Sequence, residues 1–172
     1  MGNTVDKGRK NIRQKSNTDV FSDKVSNILD DLTLSQKERQ KMLCKVYYDE
    51  AVRYRENAKK NLENAKVNND GYYEDKKYVR TACGLAYSGL LIALDCYLIL
   101  KGVEVMERTK KDIIFYRSNL SKQNKKLGRN LDSAYELLHI LGYYDGITRS
   151  SVVKDGFKEL DVFIELINPN KN

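Results

Sequence analysis

An all-α fold, an up-and-down bundle of four to five helices, is predicted by three features of this 172-residue chain. Its single proline, Pro169, lies near the C-terminus, so almost nothing interrupts a helix. Apolar residues recur every three or four positions in segment after segment, the spacing of one helix face. No run alternates apolar and polar residues between hairpin turns. With 41% hydrophobic residues the chain suits one domain with a real core. That domain is expected over 19–172, with its core from about 36 to 168, after a disordered basic tail over 1–18.

The tail stands out by charge. Lys7, Arg9, Lys10, Arg13 and Lys15 against Asp6 place more than half of the net charge of +7 before Ser16. Almost nothing there is apolar, so burial cannot offset the entropy of ordering it. Such a tail suits contact with nucleic acid or anionic lipid, or simply solubilises a terminus. The Met-Gly start is no myristoylation signal, because Asp6 stands where Ser or Thr is needed. No apolar secretion-signal core follows, which predicts a cytoplasmic protein. Cysteine usage agrees: Cys44, Cys83 and Cys96 cannot all pair within one chain, and Cys83 and Cys96 would lie about 20 Å apart on one helix. Free, buried thiols are expected.

Along the chain, Val20, Phe21, Val25, Ile28, Leu29 and Leu32 predict a short helix starting at Ser22 or Asp23. Ser35 followed by Glu38 forms a capping box that opens a long helix, with Tyr47, Ala51, Tyr54, Ala58, Leu62 and Ala65 on one face. The turn Asn-Asn-Asp-Gly, ending at Gly71, stops it. Next comes the least polar stretch, RTACGLAYSGLLIALDCYLILKG from Arg80 to Gly102. Tyr78, Ala82, Leu85, Gly89, Ile92, Cys96 and Ile99 form a seam, and Glu74, Thr81, Ser88 and Asp95 form one thin polar stripe. The run approaches the ~20 apolar residues needed to cross a bilayer, but Asp95 would cost ~3 kcal/mol in lipid. It is therefore read as the central helix of the bundle, without a membrane, ending at Gly102. Further helices are expected from near Thr109 and from Lys126. The second carries Leu127, Leu131, Ala134, Leu138 and Leu141 up to a stop at Gly142, followed by a Tyr-Tyr-Asp-Gly turn. The last helix, capped by Thr148 or Ser150, turns Val153, Phe157, Leu160, Ile164 and Ile167 inward until Pro169.

Conventional catalytic motifs are missing: there is no GxxxxGK[ST] loop, no GxSxG elbow and no HExxH. Asp132, Glu136 and His139 share a helix face, and Glu136 with His139 makes the Glu-x-x-His pair of di-iron bundles. Such a centre needs a second pair and further glutamates, whereas this chain has one histidine. No metal or other cofactor is predicted. Asp95, if buried, requires Arg80, Arg53 or a hydroxyl as partner. Tyrosines crowd helix ends and turns beside Lys76, Lys77 and Arg80. Aromatic rings amid basic groups can stack bases and hold phosphates, so Lys76, Lys77, Arg80, Tyr87, Asp95 and Tyr143 are the candidate residues for binding a nucleotide or nucleic acid. The plainer alternative is that tyrosine fills a core lacking tryptophan.

The segment YRENAKKNLENAK, then a turn, then YVRTACGLAYSGLLIALDCYLILKG, resembles the first two core helices of the HEPN superfamily. The likeness runs from about Tyr47 to Leu166, with Ala86 and Tyr87 inside the apolar helix. An uncharacterised bacterial branch is similar in its Tyr-Tyr-Asp-Gly turn. The resemblance implies a helical bundle, commonly homodimeric, that often works beside a nucleotidyltransferase. Many members are metal-independent ribonucleases with an arginine, often followed by a polar residue, and a histidine after four to six intervening positions. Here Arg129 and Asn130 match the start, but His139 is displaced by about 15 Å along a helix and rotated away. The pair must converge on one phosphate, which a single helix cannot arrange. The expectation is a non-catalytic dimeric interaction module that binds RNA or nucleotide. The alternatives are a ribonuclease or toxin-like enzyme with Arg129, His139 and Tyr144 meeting across a dimer, and a structural partner of a neighbouring nucleotidyltransferase.

Overall fold

The computed structural model describes residues 17–103, 105 and 111–171, with the backbone alone at 17 and 18. Most of the predicted basic tail, and Thr109, lie outside these residues. The chain forms α1 (Asn17–Asp30), α2 (Gln36–Glu63), α3 (Lys76–Leu100), α4 (Ile113–Gln123) and α5 (Lys125–Ala134). A π-helix, Tyr135–Asp145, continues α5 without a break, and α6 (Ser150–Leu166) closes the bundle. Among the described residues there is no strand, only isolated bridges between Val67 and Tyr73 and between Tyr72 and Arg149. The all-α bundle is the fold.

Local chemistry accounts for most boundaries. The capping box is formed: Glu38 N–H donates to Ser35 Oγ at 3.3 Å, and Ser35 N–H donates to the Glu38 carboxylate at 3.0 Å. α2 stops at Glu63, earlier than the Asn-Asn-Asp-Gly turn, because Lys66 takes a left-handed φ of 43°. Within that turn the Asn68 carboxamide oxygen accepts from the N–H groups of Asp70 and Tyr72, and Gly71 supplies φ 82°. α1 starts at Asn17 rather than at Ser22 or Asp23. Asp112 caps α4 by accepting from Phe115 N–H at 3.0 Å, so that helix begins at Ile113. Neither Thr148 nor Ser150 caps α6. Ser150 is buried and its N–H donates to Gly71 O at 2.9 Å, while Tyr73 N–H donates to Thr148 O at 2.7 Å. The α2–α3 connection is thereby tied to the start of α6.

α3 is the hub, packed on α2, the π-helix and α6, with lighter contact to α4. It is also the single helix among the described residues long and apolar enough to cross a membrane. Val79, Ala82, Cys83, Ala86, Leu90, Ala93, Leu94, Cys96 and Leu98 are buried on it. The expected seam is therefore displaced. Ala82, Gly89 and Cys96 face inward, but Tyr78, Leu85, Ile92 and Ile99 are half-buried and border the polar stripe. The contact with α2 is close because it is built from small residues. A Cβ on Gly89 would sit 3.0 Å from Tyr54 Cβ and 3.3 Å from Ala51 O. The predicted inward residues of α6 are all buried.

The stop expected at Gly142 is four residues early. Gly142 is buried inside the π-helix, and the left-handed cap, φ 64°, falls on Gly146. Tyr-Tyr-Asp is the final turn of that helix, not a separate loop. The reason is local packing: Gly142 lies so close to Cys83 that any side chain there would overlap it, and the chain keeps winding until Gly146.

Candidate functional site

The π-helix determines the geometry of the candidate site. In an α-helix, residues five apart point about 140° away from one another. Winding with i→i+5 hydrogen bonds widens the turn, so residues four and five apart share a face. His139 accordingly touches Tyr135, Tyr143 and Tyr144 together. Ring centroids lie 5.2 Å away for Tyr135, 6.0 Å for Tyr143 in a stacked pose, and 5.0 Å for Tyr144 edge-on. Tyr87 of α3 adds a fourth ring at 4.5 Å. Gly84 makes room for Tyr143, whose Cδ2 lies 3.0 Å from where a Cβ would stand.

Cations border this aromatic cluster. Arg80 Nη2–H donates to Tyr144 O at 2.7 Å. Lys76 and Arg80 run across Gly146, where a side chain would overlap both. Arg117 of α4 lies over the Tyr135 ring at 5.3 Å and donates to Asp132 Oδ1 at 2.6 Å. Farther round the same end, Arg149 covers Tyr72 at 5.7 Å. Tyr72, Lys76, Gly146 and Arg149 line an open groove. Tyr143 and Tyr144 are 45% and 59% exposed, so two rings of the cluster present themselves to an incoming molecule.

Lys76, Lys77 and Arg80 are thus at one end of α3, with Tyr144 beside Arg80 and Tyr87 two turns farther along the helix. Asp95 stands apart, two helical turns beyond Tyr87. It accepts from Lys111 Nζ at 2.6 Å and from Tyr116 Oη at 2.7 Å. Its partners are therefore a hydroxyl and a lysine, while Arg80 is bound to Tyr144 and Arg53 to Glu50. Arg129 is exposed on α5, and Arg117 is the arginine that covers a ring of the cluster. Asp132 is paired with Arg117, and among the described residues no His, Cys, Asp or Glu group is arranged to hold a metal ion. Sequence reasoning missed Tyr135, Arg117 and Arg149. The spacing of Tyr135 four residues before His139 was a usable signal, whereas the arginines required the fold.

Burial holds the His139 imidazole below its ordinary 6.5, and burial pushes the Tyr87 hydroxyl up to about 12, helped by Tyr135 and opposed by Arg117. Both groups are neutral at pH 7. Because folding favours neutral His139, the unfolded chain takes up the proton first as pH falls. This stabilisation is complete above about pH 6.5 and is lost as acid titrates the folded imidazole. His139→Gln should flatten that loss, measured as urea midpoints at about pH 7.5 and about pH 5. Identical pH dependence in both proteins would count against it.

Fold and site together define an all-α bundle carrying a tyrosine-histidine cluster with a basic border. The chain belongs to the family described as a domain of unknown function, DUF5618, which matches residues 46–169. A solved structure, a protein of unknown function from Dyadobacter fermentans, is similar at 37% identity, with 75% of this chain and 98% of that chain covered and a TM-score of 0.64. No curated protein matches the chain. α1 precedes the family match.

Proposed function

We propose that this bundle is a HEPN-like, homodimeric interaction module without catalytic activity, and that it binds single-stranded RNA or nucleotide at the cluster around His139. The observation that carries this reading is the exposed Tyr143 and Tyr144 rings, with the Arg80 guanidinium held beside them on Tyr144 O. Flat rings stack on bases of any sequence, and the cationic border meets the phosphates. A neutral imidazole packed among four rings extends the stacking platform. The half-buried Leu85 and Ile92, seven residues apart on one face of α3, support a face for a second copy. Sedimentation as a dimer at micromolar concentration is the expected result, and a monomer there counts against it.

Fluorescence anisotropy with labelled single-stranded RNA tests the binding. Tyr143→Ala with Tyr144→Ala should weaken affinity about 10- to 100-fold, the effect of losing stacking worth roughly 1–3 kcal/mol per base. Arg80→Ala should lower the salt slope by about one. Absence of binding at low salt would overturn the reading. The contact of His139 with Tyr144 keeps one alternative in play, a ribonuclease completed by Arg129 of a second copy. Cleavage of cellular RNA that disappears in His139→Ala would establish that alternative instead.

A further inference from the structure

The seam between α2 and α3 runs in heptads. On α2, Cys44, Ala51 and Ala58 recur every seven residues and are all buried. On α3, Ala82, Gly89 and Cys96 do the same, Ala82 and Cys96 with no more than 1% exposure. Gly89 faces the Ala51 backbone, whose carbonyl oxygen lies 3.3 Å from where a Cβ on Gly89 would stand. The helices are antiparallel, so one heptad back from Ala51 and one heptad on from Gly89 bring Cys44 opposite Cys96. Their thiols interact directly, each changing the acidity of the other. Nothing in the bundle core requires sulfur at both places, since the equivalent seam positions hold alanine and glycine.

We propose that Cys44 and Cys96 are a peroxide-sensitive dithiol that closes to a reversible disulfide between α2 and α3.

Cys44 is the attacking sulfur. It lines an open groove of about 480 Å³ at the end of the seam, with Lys37, Lys41 and Lys101 around it. Cys96 beside it draws the Cys44 thiol below its ordinary acidity range, which favours the thiolate that attacks. Cys96 is inside, and Cys44, burial and Asp95 keep it protonated. The thiolate of Cys44 attacks one oxygen of hydrogen peroxide. An S–O bond forms, the O–O bond breaks, and hydroxide leaves and takes a proton as water. The Cys96 sulfur then attacks the Cys44 sulfenic acid: the S–S bond forms, the S–O bond breaks, and the Cys96 proton leaves with hydroxide as a second water. Two thiols are oxidised and one peroxide is reduced. Cys83 is the internal control, because burial pushes its thiol up to about 12 and it packs against Gly142.

The test uses the full reduced chain and graded hydrogen peroxide. Intact mass should fall by two hydrogens and recover with dithiothreitol, and a non-reducing digest should join the Cys44 and Cys96 peptides. The oxidised protein should melt several degrees above the reduced one. Cys44→Ser and Cys96→Ser should each abolish the cross-link, and Cys83→Ser should leave it intact. The digest of the wild-type chain decides the matter even if a variant fails to fold. Oxidation of Cys44 to sulfinic acid without a cross-link, a link through Cys83, or thiols that resist peroxide while a free cysteine control is consumed would each overturn the proposal.

Discussion

Gly142→Ala should destabilise the protein by about 3 kcal/mol, although alanine is favoured over glycine by roughly 1 kcal/mol inside a helix. Space decides the sign. The added Cβ would meet Cys83 Sγ at 2.5 Å, Cys83 Cβ at 2.6 Å and Leu137 O at 3.0 Å, and both helices are buried at that point. Gly128→Ala supplies the opposite case on α5. Its Cβ would find only Ser121 Oγ at 3.7 Å, an ordinary contact, so propensity should prevail and stability should rise by about 0.5–1 kcal/mol. Urea unfolding measures both. Combining Gly142→Ala with Cys83→Gly should recover part of the loss, because that removes the Cβ and the sulfur that collide. A neutral Gly142→Ala would overturn the close contact of Gly142 with Cys83 as the determinant at this position.

Asp95→Ala should cost about 2 to 3 kcal/mol. Tyr116 is 2% exposed, and its hydroxyl would be left buried without its acceptor. Lys111 would lose its carboxylate but can reach water, which keeps the cost below that of breaking a fully enclosed pair. Tyr116→Phe should cost less, about 1 kcal/mol, because Lys111 still neutralises the carboxylate. Thermal melts of the two variants rank the effects. An Asp95→Ala protein as stable as wild type would show that the triad contributes nothing net.

The binding prediction is separate from these two, since Tyr143, Tyr144 and Arg80 lie at the surface. Their loss should lower RNA affinity about 10- to 100-fold while the protein still unfolds cooperatively, with a smaller drop in melting temperature than Gly142→Ala. That separation distinguishes a recognition surface from a merely well-packed helix end.

Several features were legible in order along the chain. The Ser35–Glu38 box, the Gly102 stop at φ 76° and the inward face of α6 are each specified by neighbours within a few residues. Asp95 was legible as a group needing a partner, but Lys111 and Tyr116 stand 16 and 21 residues away, beyond any helical period. The α3 seam was drawn from apolar spacing alone. On a helix with apolar residues almost all round, spacing cannot say which arc faces α2 and which is left half-bare. The spacing of Arg129 and His139 implies a fixed separation on a regular α-helix, whereas His139 sits in a π-helix whose side chains fan out differently.

By itself, then, the amino-acid sequence determined an all-α chain, the capped start of α2, the stop of α3, the inward face of α6 and three free thiols. These depend on periodicity, capping and composition, which act over one or two turns. Only the tertiary structure decided that α5 widens into a π-helix at Tyr135, that four tyrosines gather on His139, and that Cys44 meets Cys96. The physical reason is that i→i+4 and i→i+5 winding use the same backbone groups and differ little locally. Cys83 pressed against Gly142, and the register of two long helices, make the choice.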